Sequence, residues 1–261
     1  WQNPLWALLF YWPCYEICRP FLERAALWRS DCPYAPRLDW QGCIPQEHQT
    51  LLVLPVLLPR GEQCAKLREH LLSLMPTAKD GAVALCLLCD LAEAGEAVLP
   101  ADRKEIRAVK RMVRELNRTY GDRVILLVRP RTFSKTQGSY TGKERKRGAI
   151  LTLLALLNGN PQPLEAFEGP AERLYGSKHL LVLDEDTRLT VGALPELVSI
   201  AAHPMNRPVI DETQKRVVKG YGVLVPHLAA ELRDVQATWF GRLFGGDGGT
   251  ATYGEGVPEL Y

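Results

Sequence analysis

The strongest constraint on this chain is a succession of short apolar runs separated by segments of helical length. Leu51-Leu-Val-Leu-Pro-Val-Leu57, Ala82–Leu91, Arg123–Val128 and Lys178–Leu183 are nearly continuous in apolar residues rather than alternating. That pattern predicts strands covered on both faces. Glu62–Leu74, Arg103–Tyr120 and Gly142–Leu157 lie between them with apolar residues at helical spacing, and Ala193–Ala202 follows the last run. Strands alternating with helices predict an α/β fold, a mostly parallel sheet with helices on both faces. In such sheets ligands bind outside the carboxyl ends of the strands. The candidate positions are therefore Pro55 and its neighbours, Asp90, the loop after Arg129, and Asp184 to Arg188.

With 261 residues and a formal charge of +2, the chain has room for one large α/β domain and no net charge that implies a nucleic-acid partner. Its seven cysteines are irregularly spaced and several sit in apolar runs, which reads as reduced thiols rather than a disulfide framework. Cys86 and Cys89 form a C-x-x-C inside a predicted strand, and no second pair at zinc spacing follows; buried thiols are the expectation. No apolar stretch approaches the roughly 20 residues that span a bilayer. Residues 1–30 read as an amphipathic helical segment broken by Pro4, Pro13 and Pro20. Trp1, Trp6, Phe10, Tyr11 and Trp12 fit either a membrane-interface belt or a helix packed on the domain. Residues 1–38 are thus an N-terminal helical segment and connector, and residues 39–261 the domain proper.

Two clusters carry the chemistry. Asp184-Glu185-Asp186 directly follows an apolar strand, so two carboxylates one residue apart can turn toward one hard cation, Mg²⁺ or Mn²⁺, shared with substrate phosphates. A solvated turn, or Asp186 as a helix cap, is the plain alternative; placement at the ligand-binding edge favours the cation. Lys143-Glu144-Arg145-Lys146-Arg147 follows the form of a capping box in Thr141-Gly-Lys-Glu144, which predicts a helix start there. Four cations in the first turns oppose the helix dipole, a cost that an anionic ligand reverses; a solvated basic face or a lipid-touching patch is the alternative. Asp90 ends the second strand, where it serves equally as a helix cap or as a partner for a base or ribose. Gly138-Ser-Tyr-Thr-Gly142-Lys143 has one residue too few for a P-loop, with Glu144 where Ser or Thr should meet the metal.

Four stretches in this order, Gly142-Lys-Glu-Arg-Lys-Arg-Gly148, Leu181-Val-Leu-Asp-Glu-Asp-Thr-Arg-Leu189, Ala202-His-Pro-Met-Asn-Arg-Pro208 and Gly220-Tyr-Gly-Val-Leu-Val-Pro226, resemble the glycosyltransferase domain of cyclic β-1,2-glucan synthases over about residues 39 to 261. The resemblance implies a GT-A-type, Rossmann-like fold on the cytoplasmic face of the bacterial inner membrane. It also implies inverting transfer of glucose from UDP-glucose to a growing β-glucan acceptor. It implies that Asp184 and Asp186 hold metal and diphosphate, that Asp90 faces the uridine with Pro55 nearby, and that Lys143, Arg145 and Lys146 lie near the phosphates. The implied partners are membrane lipid, through the N-terminal segment, and a phosphorylase-like domain of the same parent protein. Lys143 stands where the family usually has Trp, and Cys89-Asp90-Leu91 where it has Thr-Asp-Trp. The motifs for the catalytic base and acceptor are expected beyond Tyr261, so the chain is expected to be a fragment, with Glu255 and Glu259 the carboxylates nearest that region. A membrane glycosyltransferase of other sugar or linkage, or a non-catalytic sugar-nucleotide-binding domain, is the alternative.

Overall fold

The computed structural model describes residues 4–29, 35–78, 81–226 and 239. Contacts divide the chain into two units, Trp1–Pro36 with Pro208–Tyr261, and Arg37–Arg207. In the first unit, α1 (Pro4–Arg29) runs unbroken for 26 residues. The expected breaks at Pro13 and Pro20 do not occur: the helix carries both prolines and forgoes the hydrogen bonds their missing N–H groups would make. Leu9, Phe10, Tyr11 and Trp12 are all exposed. At about 100° per residue, four consecutive positions reach every side of a helix, so at this turn the apolar surface encircles α1 instead of forming one stripe. Trp1 lies outside the described residues, as do the side chains of Trp6, Arg19 and Arg24. No helix among the described residues is long and apolar enough to cross a membrane.

In the second unit the predicted alternation is realised. The elements in order are β1 (Thr50–Leu57), α2 (Gln63–Leu74), β2 (Val83–Asp90), α3 (Pro100–Tyr120) and β3 (Val124–Arg129). A hairpin of β4 (Thr132–Ser134) and β5 (Ser139–Thr141) follows, then α4 (Arg145–Leu157), β6 (Ala166–Glu168), α5 (Ala171–Tyr175), β7 (His179–Val182) and α6 (Ala193–Ala202). The main sheet has five strands in the order β6-β3-β2-β1-β7. Only β6 is antiparallel, against β3. The fold is a Rossmann-like α/β sheet. After Arg207, β8 (Val209–Asp211) and β9 (Arg216–Lys219) form a hairpin in the first unit.

Both faces of the sheet are covered, because side chains alternate along each strand. Leu52, Leu54, Val56, Leu85, Leu87, Leu126 and Val128 pack with α2, α3 and α6 on one face. Leu51, Val53, Ala84, Leu88, Ile125 and Leu127 pack with α4 and α5 on the other. The same alternation settles the C-x-x-C. Cys86 and Cys89 are three apart on a strand, so they fall on opposite faces and cannot share a ligand. Both are buried free thiols, and burial pushes the Cys86 thiol up to about 12.

The strand order also creates the reversal at which such sheets bind ligands. The chain builds outward from β1 to β2 to β3, then returns to place β7 on the other side of β1. Val53 pairs with Val182, and continuing that register sets Asp184 abreast of Pro55. Thr50 and Leu58 donate toward β2, so the odd-numbered residues of β1 face β7, and Val53 accepts from Leu183 there. Pro55 is the next residue on that side, and it has no N–H to continue the ladder. The two strands therefore part at this point.

Candidate functional site

Three features meet at the carboxyl edge of the sheet. The first is the carboxylate turn after β7, where Thr187 donates its backbone N–H to the Asp184 carbonyl at 3.0 Å. Asp184, Glu185 and Asp186 are all exposed there. Beside them His70 of α2 has its Nε2 buried and without a hydrogen-bond partner among the described residues. Burial holds its pKa below the ordinary histidine value, against the pull of Glu185. Among the described residues no three carboxylate, imidazole or thiol groups gather into a metal cluster.

The second feature is the basic turn. Helix α4 starts at Arg145, and Glu144, its N-cap, makes no side-chain capping bond; Thr141 lies in β5. The expected capping box is therefore not formed. A different device starts the helix: Glu144 and Arg145 are both left-handed, at φ 55° and 45°. Side chains rarely adopt that conformation, and two in succession mark a turn held by its surroundings. Tight packing supplies the hold. A Cβ on Gly142 would lie 2.6 Å from the Asp90 carboxyl carbon, and one on Gly148 would lie 1.9 Å from the Lys143 carbonyl oxygen. The turn also reaches the first feature, because Lys146 Nζ donates to Asp184 Oδ1. Both of those side chains are about half exposed, so the contact matters for placement more than for stability.

The third feature is a pair of buried arginines, Arg129 and Arg131, which the sequence reading did not single out as site residues. Arg129 faces its register partner Asp90 across two neighbouring strands. Its Nε and Nη2 donate to the two oxygens of that carboxylate, each at 2.7 Å. Asp90 lies at the edge where it was expected, 8% exposed, with both carboxylate oxygens engaged by this guanidinium. Arg131 donates to both oxygens of Asp102 at 2.5 and 2.9 Å, and to the carbonyls of Ala92 and Ala97. Hydrogen bonds from Arg131 hold the Asp102 carboxyl below the ordinary aspartate range. That pair clamps the segment between β2 and α3, which in turn bridges Ala94 to Tyr140 of the hairpin. The available signal was positional: a charged residue directly ending an otherwise apolar strand must find a partner.

Lys146 and Asp184 are thus drawn together at the carboxyl edge, with Lys143 and Arg145 in the adjoining turn and Pro55 two residues past the end of the β1–β7 pairing. Asp186 joins these groups only through its place in the carboxylate turn, where it is exposed. A cavity of about 280 Å³ opens on the other flank of the basic turn, lined by Arg129, Lys143, Glu144, Gly148 and Thr152 among others. Another, of about 500 Å³, lies between residues 37–42 and the start of α6. Neither is lined by Asp184 or Asp186, which are exposed.

No protein-family model matches the chain. It is 31% identical over 223 residues, 84% of its length, to the cyclic beta-(1,2)-glucan synthase NdvB of Rhizobium meliloti. It spans about 8% of that relative's length. That similarity, carried on a Rossmann-like parallel sheet, places it as a domain related to the cyclic β-(1,2)-glucan synthases.

Proposed function

We propose that the chain is a GT-A-type glycosyltransferase domain that takes UDP-glucose as donor and extends a β-1,2-glucan with inversion. The observation that carries this reading is the contact of Lys146 with Asp184 at the sheet reversal. It brings the cationic turn and the carboxylate turn, 38 residues apart in sequence, together at the carboxyl edge. The similarity to a glucan synthase supplies the sugar chemistry.

The donor set fits a hard divalent cation of the Mg²⁺ or Mn²⁺ kind. Such ions bind through one or two carboxylates and take their remaining oxygens from water and substrate phosphates. Asp184 and Asp186 would hold it, and Lys146 would leave Asp184 for the diphosphate. When bound, the ion supplies charge stabilisation to the diphosphate as it departs. Lys143, Arg145 and Lys146 bind and orient the same phosphates by charge-assisted hydrogen bonds. Pro55 opens the crevice in which the nucleotide lies, and Asp90 contributes from the same edge through its pair with Arg129. Inversion requires a base to take the acceptor hydroxyl proton. Glu255 and Glu259 lie outside the described residues. The parent protein would hold this domain, beside a phosphorylase-like one, at the cytoplasmic face of the bacterial inner membrane. The exposed apolar turn Leu9–Trp12 of α1 supports lipid contact there.

Calorimetric titration of the chain with UDP tests the reading. Binding should require Mn²⁺ or Mg²⁺, and Asp186→Ala should remove most of it. Lys146→Ala should weaken UDP far more than uridine. Equal UDP affinity in EDTA would sink the cation role, and equal weakening of both ligands would sink the phosphate role of the turn.

A further inference from the structure

Arg129 is 5% exposed and sits at the end of β3, behind the basic turn. A guanidinium has five N–H donors in a fixed plane. Two go to Asp90, as described. The others reach the turn: Nη2 donates to the Arg145 carbonyl at 3.0 Å, and Nη1 donates to the Lys143 carbonyl and to Thr152 Oγ1, each at 3.3 Å. One side chain thus joins the carboxyl ends of β2 and β3 to both sides of the left-handed pair Glu144 and Arg145.

The consequence follows from the planarity of the peptide. In a trans unit the C=O and N–H point in opposite directions. Turning the carbonyls of Lys143 and Arg145 in toward Arg129 therefore turns the N–H groups of Glu144 and Lys146 away from it. That is the direction an anion needs at a helix start. Without the guanidinium, the two carbonyls would face a buried carboxylate, Asp90, and repulsion would drive them off. The left-handed conformations would then have no reason to persist. Asp90 completes the device by neutralising Arg129 and fixing the plane of its donors.

We propose that Arg129 is the positioning residue of the basic turn, setting the Lys143–Lys146 backbone for a diphosphate, and that Asp90 acts on the nucleotide through Arg129. This rests on the reading above that the turn meets the phosphates of UDP. Arg129, almost wholly buried, acts through the turn whose carbonyls it holds.

The test titrates the full chain with UDP and with uridine, with Mn²⁺ present, in wild type, Arg129→Lys and Arg129→Ala. Lysine keeps the charge beside Asp90 but cannot fork to two carbonyls. Arg129→Lys should weaken UDP at least tenfold and uridine less than threefold. Millimolar guanidinium should restore part of the UDP affinity in Arg129→Ala, but none in Lys146→Ala, where the missing group is a ligand rather than a support. If Arg129→Ala does not fold, the UDP-to-uridine ratio in Arg129→Lys decides alone. Wild type failing to bind UDP overturns the diphosphate reading, and this inference with it. Wild type binding UDP while Arg129→Lys binds it equally well overturns the inference alone. So does equal loss of UDP and uridine, which is the mark of general destabilisation.

Discussion

Replacing Gly148 by alanine sets two effects of opposite sign against each other. Gly148 lies within α4, where alanine is favoured over glycine by about 1 kcal/mol on helix propensity alone. The structure gives the other sign. The new Cβ would stand 1.9 Å from the Lys143 carbonyl oxygen and 2.9 Å from its carbon, whereas real Cβ atoms essentially never come within 3.0 Å of such neighbours. The obstacle is backbone, so no rotamer change relieves it, and the carbonyl must retreat by roughly 1 Å, an overpacking strain of about 1–3 kcal/mol. That carbonyl accepts from Arg129 at 3.3 Å, and the retreat removes the bond. A hydrogen bond to a charged donor is worth about 1.5–3 kcal/mol. After subtracting the propensity gain, Gly148→Ala should destabilise by about 1.5–5 kcal/mol. Urea denaturation followed by circular dichroism measures it, and unchanged m-values would confirm that the unfolded state is not the cause. A variant as stable as wild type, or more so, would refute the close approach of the turn to α4.

Two further outcomes follow. Asp102→Ala strands the buried guanidinium of Arg131 and should cost about 3–5 kcal/mol. Because hydrogen bonds from Arg131 hold the Asp102 carboxyl below the ordinary aspartate range, its contribution is present above that range and lost as pH falls through the folded value. Stability measured from neutral to acid pH should therefore fall less steeply below about pH 4 in Asp102→Asn than in wild type, and identical slopes would remove the charge from the account. The surface of α1 should make the full chain float with anionic vesicles, whereas a chain beginning near Arg37 should stay behind and still bind UDP. Unfolding of the shortened chain would instead make residues 1–30 part of the core.

The predicted strands and helices of the second unit lie within about three residues of those found, because buried parallel strands are written as uninterrupted apolar runs that nothing else in a soluble domain requires. The short elements were not legible. β4, β5 and β6 are three residues each, too few for any periodicity to register; β4 and β5 lie inside the stretch read as loop, and β6 in one assigned no element. The helix start at residue 145 was close, but its mechanism was misread. A capping box is a local pattern, whereas a left-handed pair is imposed from outside by Asp90, Arg129 and the packing of two glycines.

The carboxylate and basic clusters were visible as residue types at a strand end and a helix start, and sequence alone assigned both to the carboxyl edge of a sheet. It could not say which strands would be neighbours. That β7 lies beside β1, so that the carboxylate turn follows directly on the end of that pairing, is a property of strand order, set by how the whole sheet covers its two faces. Nor could the sequence show that Asp90 and Arg129, 39 residues apart, would become register partners. A buried charge declares only that it needs a partner; which partner, and what that pair then holds in place, is decided when distant strands meet.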